Sequence, residues 1–432
     1  MPALPEAPAA PRIAPLSLHV DSETGPLRQV IVHTPGEEMH LVSPENKLEL
    51  LFDDILFTER AEEEHAVMCA LFRRVVNQPE PVLQLADLLR DVFEIQDARE
   101  EFVSLVAERM AQQNVEAYEA ELRRLSPPEL LRFALTGASP LPLVTHPLPN
   151  LMFTRDLSAV VGNHIILSHA ATLARARESI IVRIILHYHE RFAGDRARFI
   201  ELPPPVSFEG GDLLVASEKV VLIGNSERTS LGGVTAVAKE LLQRTPVEHV
   251  VMVNLPKARY CMHLDTVFTF ASPTECVVFP PVIEGHPDNV LHFTEAEPGS
   301  AAEGRFHTQV WPNLKAALEG LLDREMTFIR CGGEEEIHQR REQWTDGANL
   351  FALAPGLVVG YERNQRTYDA LREHGYHVVE AEAFLAYHAG SPFRPGQKVA
   401  IRLRGHELSR GRGGPRCMTL PLVRESLDGA AA

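Results

Sequence analysis

"GDLLVASEKVVLIG", Gly211–Gly224, holds two apolar runs, Leu213–Ala216 and Val220–Ile223, joined by the polar triplet Ser217, Glu218 and Lys219. Two apolar runs around a short polar turn predict an antiparallel hairpin. The pattern recurs in "RDLSAVVGNHIILS" (Arg155–Ser168), "LDTVFTFASPTECVVFP" (Leu264–Pro280) and "ANLFALAPGLVVGY" (Ala348–Tyr361). Most of these are followed by a helical stretch, such as "TSLGGVTAVAKELLQR" from Thr229 or "TYDALREHG" from Thr367, and then by a strand, such as "HVVMVNL" from His249 or "MTFIRC" from Met326. The repeating unit is hairpin, helix, strand. "LRQVIVHTP" (Leu27–Pro35) reads as part of a further unit completed by the C-terminal "RCMTLPLV", which would close the array on itself. Radial closure is a common answer to repeated units that each leave a sheet edge unpaired.

The segment 48–138 has a different texture, rich in Leu, Ala, Glu and Arg with apolar residues at three and four spacing. It predicts a helical unit set into the repeat array, punctuated by Pro79, Pro81, Pro127 and Pro128. Residues 1–17 read as a disordered Pro/Ala-rich tail, which leaves 18–432 as the α/β body.

Composition limits the function. The chain has 432 residues, 45% of them hydrophobic, enough for a large core. With 42 Lys+Arg against 59 Asp+Glu the net charge is −17, so binding to nucleic acid would work against the field of the whole molecule. Five cysteines, without close-paired spacing, point to a reducing compartment. There is no signal-peptide pattern and no uncharged apolar run of about 18 residues. The expectation is a cytoplasmic protein without membrane partners.

"SRGRGGPRCMTLP" (Ser409–Pro421) can be read as an Arg-Gly nucleic-acid tail or as a loop presenting a nucleophile. The net charge argues against the tail. Aligning the hairpins brings Asp156, Asp212, Asp265 and Asn349 to one register, where Asp and Asn commonly cap turns. Around them "PNLMFTRD" (Pro149–Asp156), "FEGGD" (Phe208–Asp212) and "MHLDT" (Met262–Thr266) add Glu209 and His263. Cys417 with His263 is the nucleophile and acid/base pair that covalent catalysis uses. Asp156, Glu209 and Asp265 would make the pocket anionic, which opposes a developing oxyanion but suits a planar, multi-donor guanidinium. A metal is not expected at His263 and Asp265, because no second ligand cluster accompanies them. His187 and His189 read as surface residues, and Cys69, Cys261, Cys276 and Cys331 as core.

These motifs, with "NSERTS" (Asn225–Ser230), "QWTDGAN" (Gln343–Asn349) and "GRGGPRC" (Gly411–Cys417), resemble in order and spacing those of the arginine deiminase family of the guanidine-modifying pentein superfamily. The resemblance implies an α/β fold, a five-fold pseudosymmetric α/β propeller with an inserted all-helical domain. It implies no cofactor, and hydrolysis of L-arginine to L-citrulline and ammonia. Residue by residue, Cys417 is similar to the nucleophile and His263 to the general acid/base. Asp156 and Asp265 match the guanidinium holders, and Glu209 a contact to both guanidinium and histidine. Arg175 and Arg228, with Asn150, resemble the grip on the substrate α-carboxylate; Phe153 would pack on its stem and Arg412 would be the mobile loop arginine. A homo-oligomer is expected. Two features depart from the family pattern: about twenty additional residues, "LAYHAGSPFRPGQKVAIRLRG", before the Arg412 loop, and Leu157 in place of a common proline. A related guanidine-modifying hydrolase or amidinotransferase acting on another guanidine, such as agmatine or a methylated arginine, and a non-catalytic binding role are the alternatives.

Overall fold

The structure is a computed structural model that describes residues 16–427 apart from 77, 112–113, 144, 170–171, 195–197, 204, 286–288, 297–305 and 388–396. Residues 1–15 of the expected tail lie outside this set. Leu16 differs from the expectation: it is buried, and its N–H donates to the Arg191 carbonyl at 2.7 Å.

All four hairpins form. Ser158–Val161 pairs with His164–Leu167, Leu213–Ser217 with Val220–Asn225, Phe268–Ser272 with Glu275–Val278, and Phe351–Ala354 with Leu357–Tyr361, each antiparallel. In the first three units the strand beyond the helix returns parallel to the second hairpin strand, as Phe199–Ile200, His249–Asn254 and Thr327–Arg330. The helix Leu231–Arg244 shows why the crossover forms. The Ser230 side chain accepts from the Gly233 N–H at its start, and Val234, Val237, Ala238 and Leu241 line one buried stripe against the sheet.

The chain ends meet as expected: Leu27–Val32 pairs antiparallel with Leu420–Arg424. The rest of that unit lies where an all-helical segment was expected. The helix Thr58–Val75 is followed by a strand, Val82–Gln84, which pairs parallel with Leu27–Val32. Three residues are too few to display a period, so the strand is hidden between Pro81 and the next helix. Leu48–Phe57 is also not helical; it runs as turns with Leu51 at φ 58°, and buries Leu50, Phe52 and Leu56. The helices Leu85–Phe93, Gln96–Met110, Val115–Leu122 and Pro127–Thr136 complete the segment.

Three further strands were not anticipated. Val399–Leu403, from the additional residues before the Arg412 loop, slides between Leu357–Tyr361 and His377–Glu380 and pairs parallel with both. The hairpin Val290–Glu295 with Phe306–Trp311 extends the second unit's sheet. Among the described residues the strands form five separate sheets in a mixed α/β fold. No helix among the described residues is long and apolar enough to cross a membrane.

The polar residues of the shared register sit in tight turns that lead into the hairpins, at Thr154–Leu157, Gly210–Asp212 and Leu264–Thr266. These turns are stitched together. Asp212 Oδ1 accepts the Leu264 N–H at 2.9 Å, and Asn349 Nδ2 donates to the Asp265 carbonyl at 2.9 Å. The Cys417 N–H donates to Asn349 Oδ1 at 3.1 Å, and the Arg155 N–H to the Cys417 carbonyl at 3.0 Å. At Gly210 a Cβ would fall 2.3 Å from the Arg155 carbonyl oxygen, so only glycine lets these two turns touch.

Candidate active site

Eight of the ten residues singled out from the sequence, Asn150, Phe153, Asp156, Arg175, Arg228, His263, Arg412 and Cys417, line one buried cavity. Glu209 and Asp265 stand directly behind it: Glu209 Oε2 is 2.8 Å from His263 Nε2, and Asp265 Oδ2 is 3.7 Å from Cys417 Sγ. The cavity encloses about 20 Å³, room for little more than one water molecule. A much larger cleft of about 720 Å³ lies elsewhere, but its Arg330 is already paired with Glu284 and Glu334.

The electrostatics follow from burial and close charges. Burial raises the Cys417 thiol well above its ordinary range, reinforced by Asp265, Asp156 and Asp346 and opposed by Arg416. Burial alone would depress His263, but Asp156, Glu209 and Asp212 outweigh it and hold the imidazole at about 9. Burial opposes ionisation of Glu209 too, yet Arg175, His263 and Arg228 keep its carboxyl below the usual range. Asp156 is raised, mainly by burial.

The carboxylates are not fully satisfied. Asp156 Oδ1, Glu209 Oε1 and Asp265 Oδ1 are buried without a hydrogen-bond partner, whereas buried acceptors are almost always paired. Their other oxygens are engaged. Asp265 Oδ2 accepts from Arg416 Nη1 at 2.8 Å. Asp156 Oδ2 and Glu209 Oε2 accept from Arg175 Nη1 at 3.4 and 3.1 Å, while Arg175 Nε donates to Glu178 Oε2 at 2.9 Å. The Arg175 guanidinium thus rests on two of the carboxylates assigned to the substrate's guanidinium, and not on an open carboxylate site. Arg228 Nη1 stands 3.8 Å from Glu209 Oε1, and Asn150 Nδ2 donates to the Leu50 carbonyl at 2.7 Å. Asp156, Glu209 and His263 each offer a donor atom within 4.8 Å of the others and could chelate a divalent ion; Arg175 supplies positive charge to both carboxylates of that group.

The roof is the Arg412 loop. Gly413 lies so close to Phe153 that a Cβ would fall 2.2 Å from its ring, which explains the glycine beside Arg412. Beneath the loop, Phe52 stacks on Phe153 with ring centroids 6.3 Å apart.

The sequence reading missed several contributors. Arg416, one residue before the nucleophile, is fully buried between Asp265 and Glu23. Asp346 is buried, pushed up to about 7 chiefly by burial, with one oxygen unpartnered. Asp53 holds Arg259 at 2.8 Å. Arg416 and Asp346 fall inside motifs quoted from the sequence, so position within "GRGGPRC" and "QWTDGAN" was the available signal; Glu23 had none.

A family model described as arginine deiminase matches residues 102–424. The arginine deiminase of Listeria monocytogenes serovar 1/2a is 35% identical over 434 residues, covering 95% of this chain and 98% of that protein. The chain belongs to the arginine deiminase family. The arginine deiminase of Limosilactobacillus reuteri is 34% identical over 440 residues, with 95% and 98% covered. Among solved structures, the N-terminal domain of ArgZ, an arginine dihydrolase, bound to product, superposes with a TM-score of 0.50 at 15% identity, covering 92% of this chain and 97% of that one. A mutant of AgrE in binary complex with L-arginine gives 0.51 at 14% identity; the match covers 93% of this chain but only 41% of the AgrE chain. At these identities the structural likeness speaks for the fold alone.

Proposed function

We infer that this family member hydrolyses L-arginine to L-citrulline and ammonia, with Cys417 as nucleophile. The observation that carries the reading is the set of three buried, unpartnered carboxylate oxygens around the Cys417–His263 pair, on Asp156, Glu209 and Asp265. A guanidinium, with five N–H groups in one plane, is the cation that can answer several such acceptors at once. Arg175 already places a guanidinium on Asp156 and Glu209, which supports the pocket's suitability for that group.

In this reading the substrate displaces Arg175 from Asp156 and Glu209, and Arg175 joins Arg228 and Asn150 at the α-carboxylate. The substrate's positive charge offsets the carboxylates that hold the thiol protonated, and the thiol loses its proton to solvent. The thiolate attacks the guanidinium carbon, and a C–S bond forms. His263, charged in the ligand-free site, protonates the departing nitrogen, and the C–N bond breaks to release ammonia. Neutral His263 then takes a proton from water, whose oxygen attacks the thiouronium carbon; collapse expels Cys417 and leaves citrulline. Glu209 orients His263 through the 2.8 Å bond.

For the architecture we propose a five-bladed α/β propeller. Five sheets, and turn-to-turn contacts that run from Asp212 through Leu264, Asp265, Asn349 and Cys417 to Arg155 and Gly210, support it. The helices from Leu85 to Thr136 would be its insert, shorter than 48–138 because Thr58–Val75 and Val82–Gln84 serve the fifth blade. All five cysteines are free thiols, which supports a reducing compartment.

The test is a panel of arginine, agmatine and methylated arginines, with ureido product and ammonia measured for the wild type and Cys417→Ala. Citrulline from arginine is expected, abolished in the variant while calorimetry still detects arginine binding. Substantial turnover by Cys417→Ala would remove the nucleophile assignment.

A further inference from the structure

A cavity of about 20 Å³ cannot contain arginine, so something over the site has to move. Arg412 is placed to be that element. It lines the cavity and sits in the left-handed region at φ 65° between Gly411 and Gly413, a conformation that carries a cost for a side-chain-bearing residue. What holds it there lies outside the cavity. The Arg412 guanidinium carbon stands 3.6 Å from the centre of the Trp344 ring, and Nη1 donates to the Trp344 carbonyl at 2.6 Å. That carbonyl closes the helix Glu336–Trp344, an end that favours a cation.

The remaining contacts are weaker. Nη2 reaches the Arg259 carbonyl at 3.4 Å, while Nε is buried without a hydrogen-bond partner, 3.8 Å from an Asp53 oxygen that also serves Arg259. Trp344 itself is 46% exposed, so the ring is only partly used in packing.

We propose that Trp344 is the dock that holds Arg412 over the closed site, and that admission of arginine requires the Arg412 guanidinium to leave the Trp344 ring. The proposal rests on the arginine reading above. In the docked form the site excludes substrate. The apparent affinity for arginine is therefore the affinity of the open form reduced by the fraction of molecules that are undocked. Trp344 acts through Arg412 and is a positioning residue; it touches no reacting atom.

The chain has two tryptophans, Trp311 and Trp344, which makes the dock visible. In the Trp311→Phe, Cys417→Ala protein only Trp344 emits, and nothing turns over. Arginine is titrated in while heat and fluorescence are followed in parallel. The emission of Trp344 is expected to change and to saturate with the same Kd that calorimetry gives. Replacing the dock, as Trp344→Leu in the Cys417→Ala background, is expected to tighten arginine binding about two- to tenfold, the range a partly exposed cation–π contact corresponds to. Trp344→Phe should fall between. Calorimetric binding without any change in Trp344 emission overturns the proposal, as does unchanged or weaker binding by Trp344→Leu. No calorimetric binding together with no citrulline from the wild type overturns the arginine reading, and the dock with it.

Discussion

Replacing Arg416 with methionine tests how the nucleophile's surroundings are held. Arg416 is fully buried and donates from Nε and Nη2 to the two Glu23 oxygens at 3.1 and 3.0 Å, from Nη2 to the Leu213 carbonyl at 2.9 Å, and from Nη1 to Asp265 Oδ2 at 2.8 Å. Methionine keeps most of the volume but leaves two buried carboxylates facing each other. Breaking a buried ion pair from one side costs about 3–5 kcal/mol. Glu23 gives an independent figure. Burial alone would raise its pKa, but Arg416 and Arg155 bring it from 4.5 to about 2, and at about 1.4 kcal/mol per pKa step that is roughly 3 kcal/mol. Because the folded value lies below the unfolded one, this stabilisation is complete above 4.5 and is lost as pH falls from 4.5 toward about 2. The wild type should therefore lose stability across that window. Arg416→Met should be weakest relative to wild type near neutral pH, with the deficit shrinking in acid. Denaturant unfolding near neutral pH and at about pH 3.5 measures both. Glu23→Gln added to Arg416→Met should recover part of the loss, since it removes one stranded charge. A single variant within about 1 kcal/mol of wild type, or a double variant no better than the single, would refute the reasoning.

Three other outcomes are expected. With His263 held at about 9 and the Cys417 thiol raised, kcat/KM should fall on an alkaline limb centred near 9, and ultraviolet absorbance of the ligand-free enzyme should show no Cys417 thiolate at neutral pH; a thiolate already formed in mild acid would favour a standing ion pair with His263 instead. Arg228→Ala should penalise arginine far more than agmatine, which lacks the α-carboxylate, and equal losses on both would make Arg228 structural. Glu64 on the helix Thr58–Val75 accepts the N–H groups of His406, Glu407 and Leu408 at 3.1, 3.1 and 3.2 Å, anchoring the base of the Arg412 loop. Glu64→Gln should speed hydrogen exchange across 406–412 and raise KM several-fold with a smaller change in kcat; unchanged exchange would remove that role.

The parts of the fold legible in the sequence were those with enough positions to show a period. Each hairpin sets two apolar runs around a short turn, and each crossover helix repeats its apolar stripe at least twice, so the four units declare themselves. Val82–Gln84 has three residues and Val399–Leu403 five, and neither has a hairpin partner beside it in the chain. Their place is fixed by pairing with strands far off in sequence, Leu27–Val32 and Leu357–Tyr361, which local pattern cannot reveal. Leu48–Phe57 misled for the opposite reason. Leu50, Phe52 and Leu56 are buried, as one face of a helix would be, but Phe52 packs against Gly411 and Phe153, and Leu51 in the left-handed region breaks the helical path.

The site was legible because the repeat places equivalent residues at equivalent turns, yet the register alone does not separate structure from chemistry. Asp212 and Asn349 share it with Asp156 and Asp265, and all four are buried. What separates them is the use of their polar atoms. Asp212 spends one oxygen on the Leu264 N–H and the other on the Ser226 hydroxyl at 2.5 Å. Asn349 spends its amide on the Asp265 carbonyl and the Cys417 N–H. These two bind turn to turn and have nothing left to offer a ligand. Asp156 and Asp265 each keep one oxygen without a hydrogen-bond partner while the other is fixed by an arginine, Arg175 or Arg416. An oxygen held in place by its partner yet unsatisfied itself is what charge recognition requires, because its desolvation has already been met by the fold. Arg416 therefore matters to the chemistry as much as the Asp265 it orients, while Arg175 holds Asp156 only until the substrate guanidinium takes its place, and both roles emerge only when residues distant in sequence are brought together.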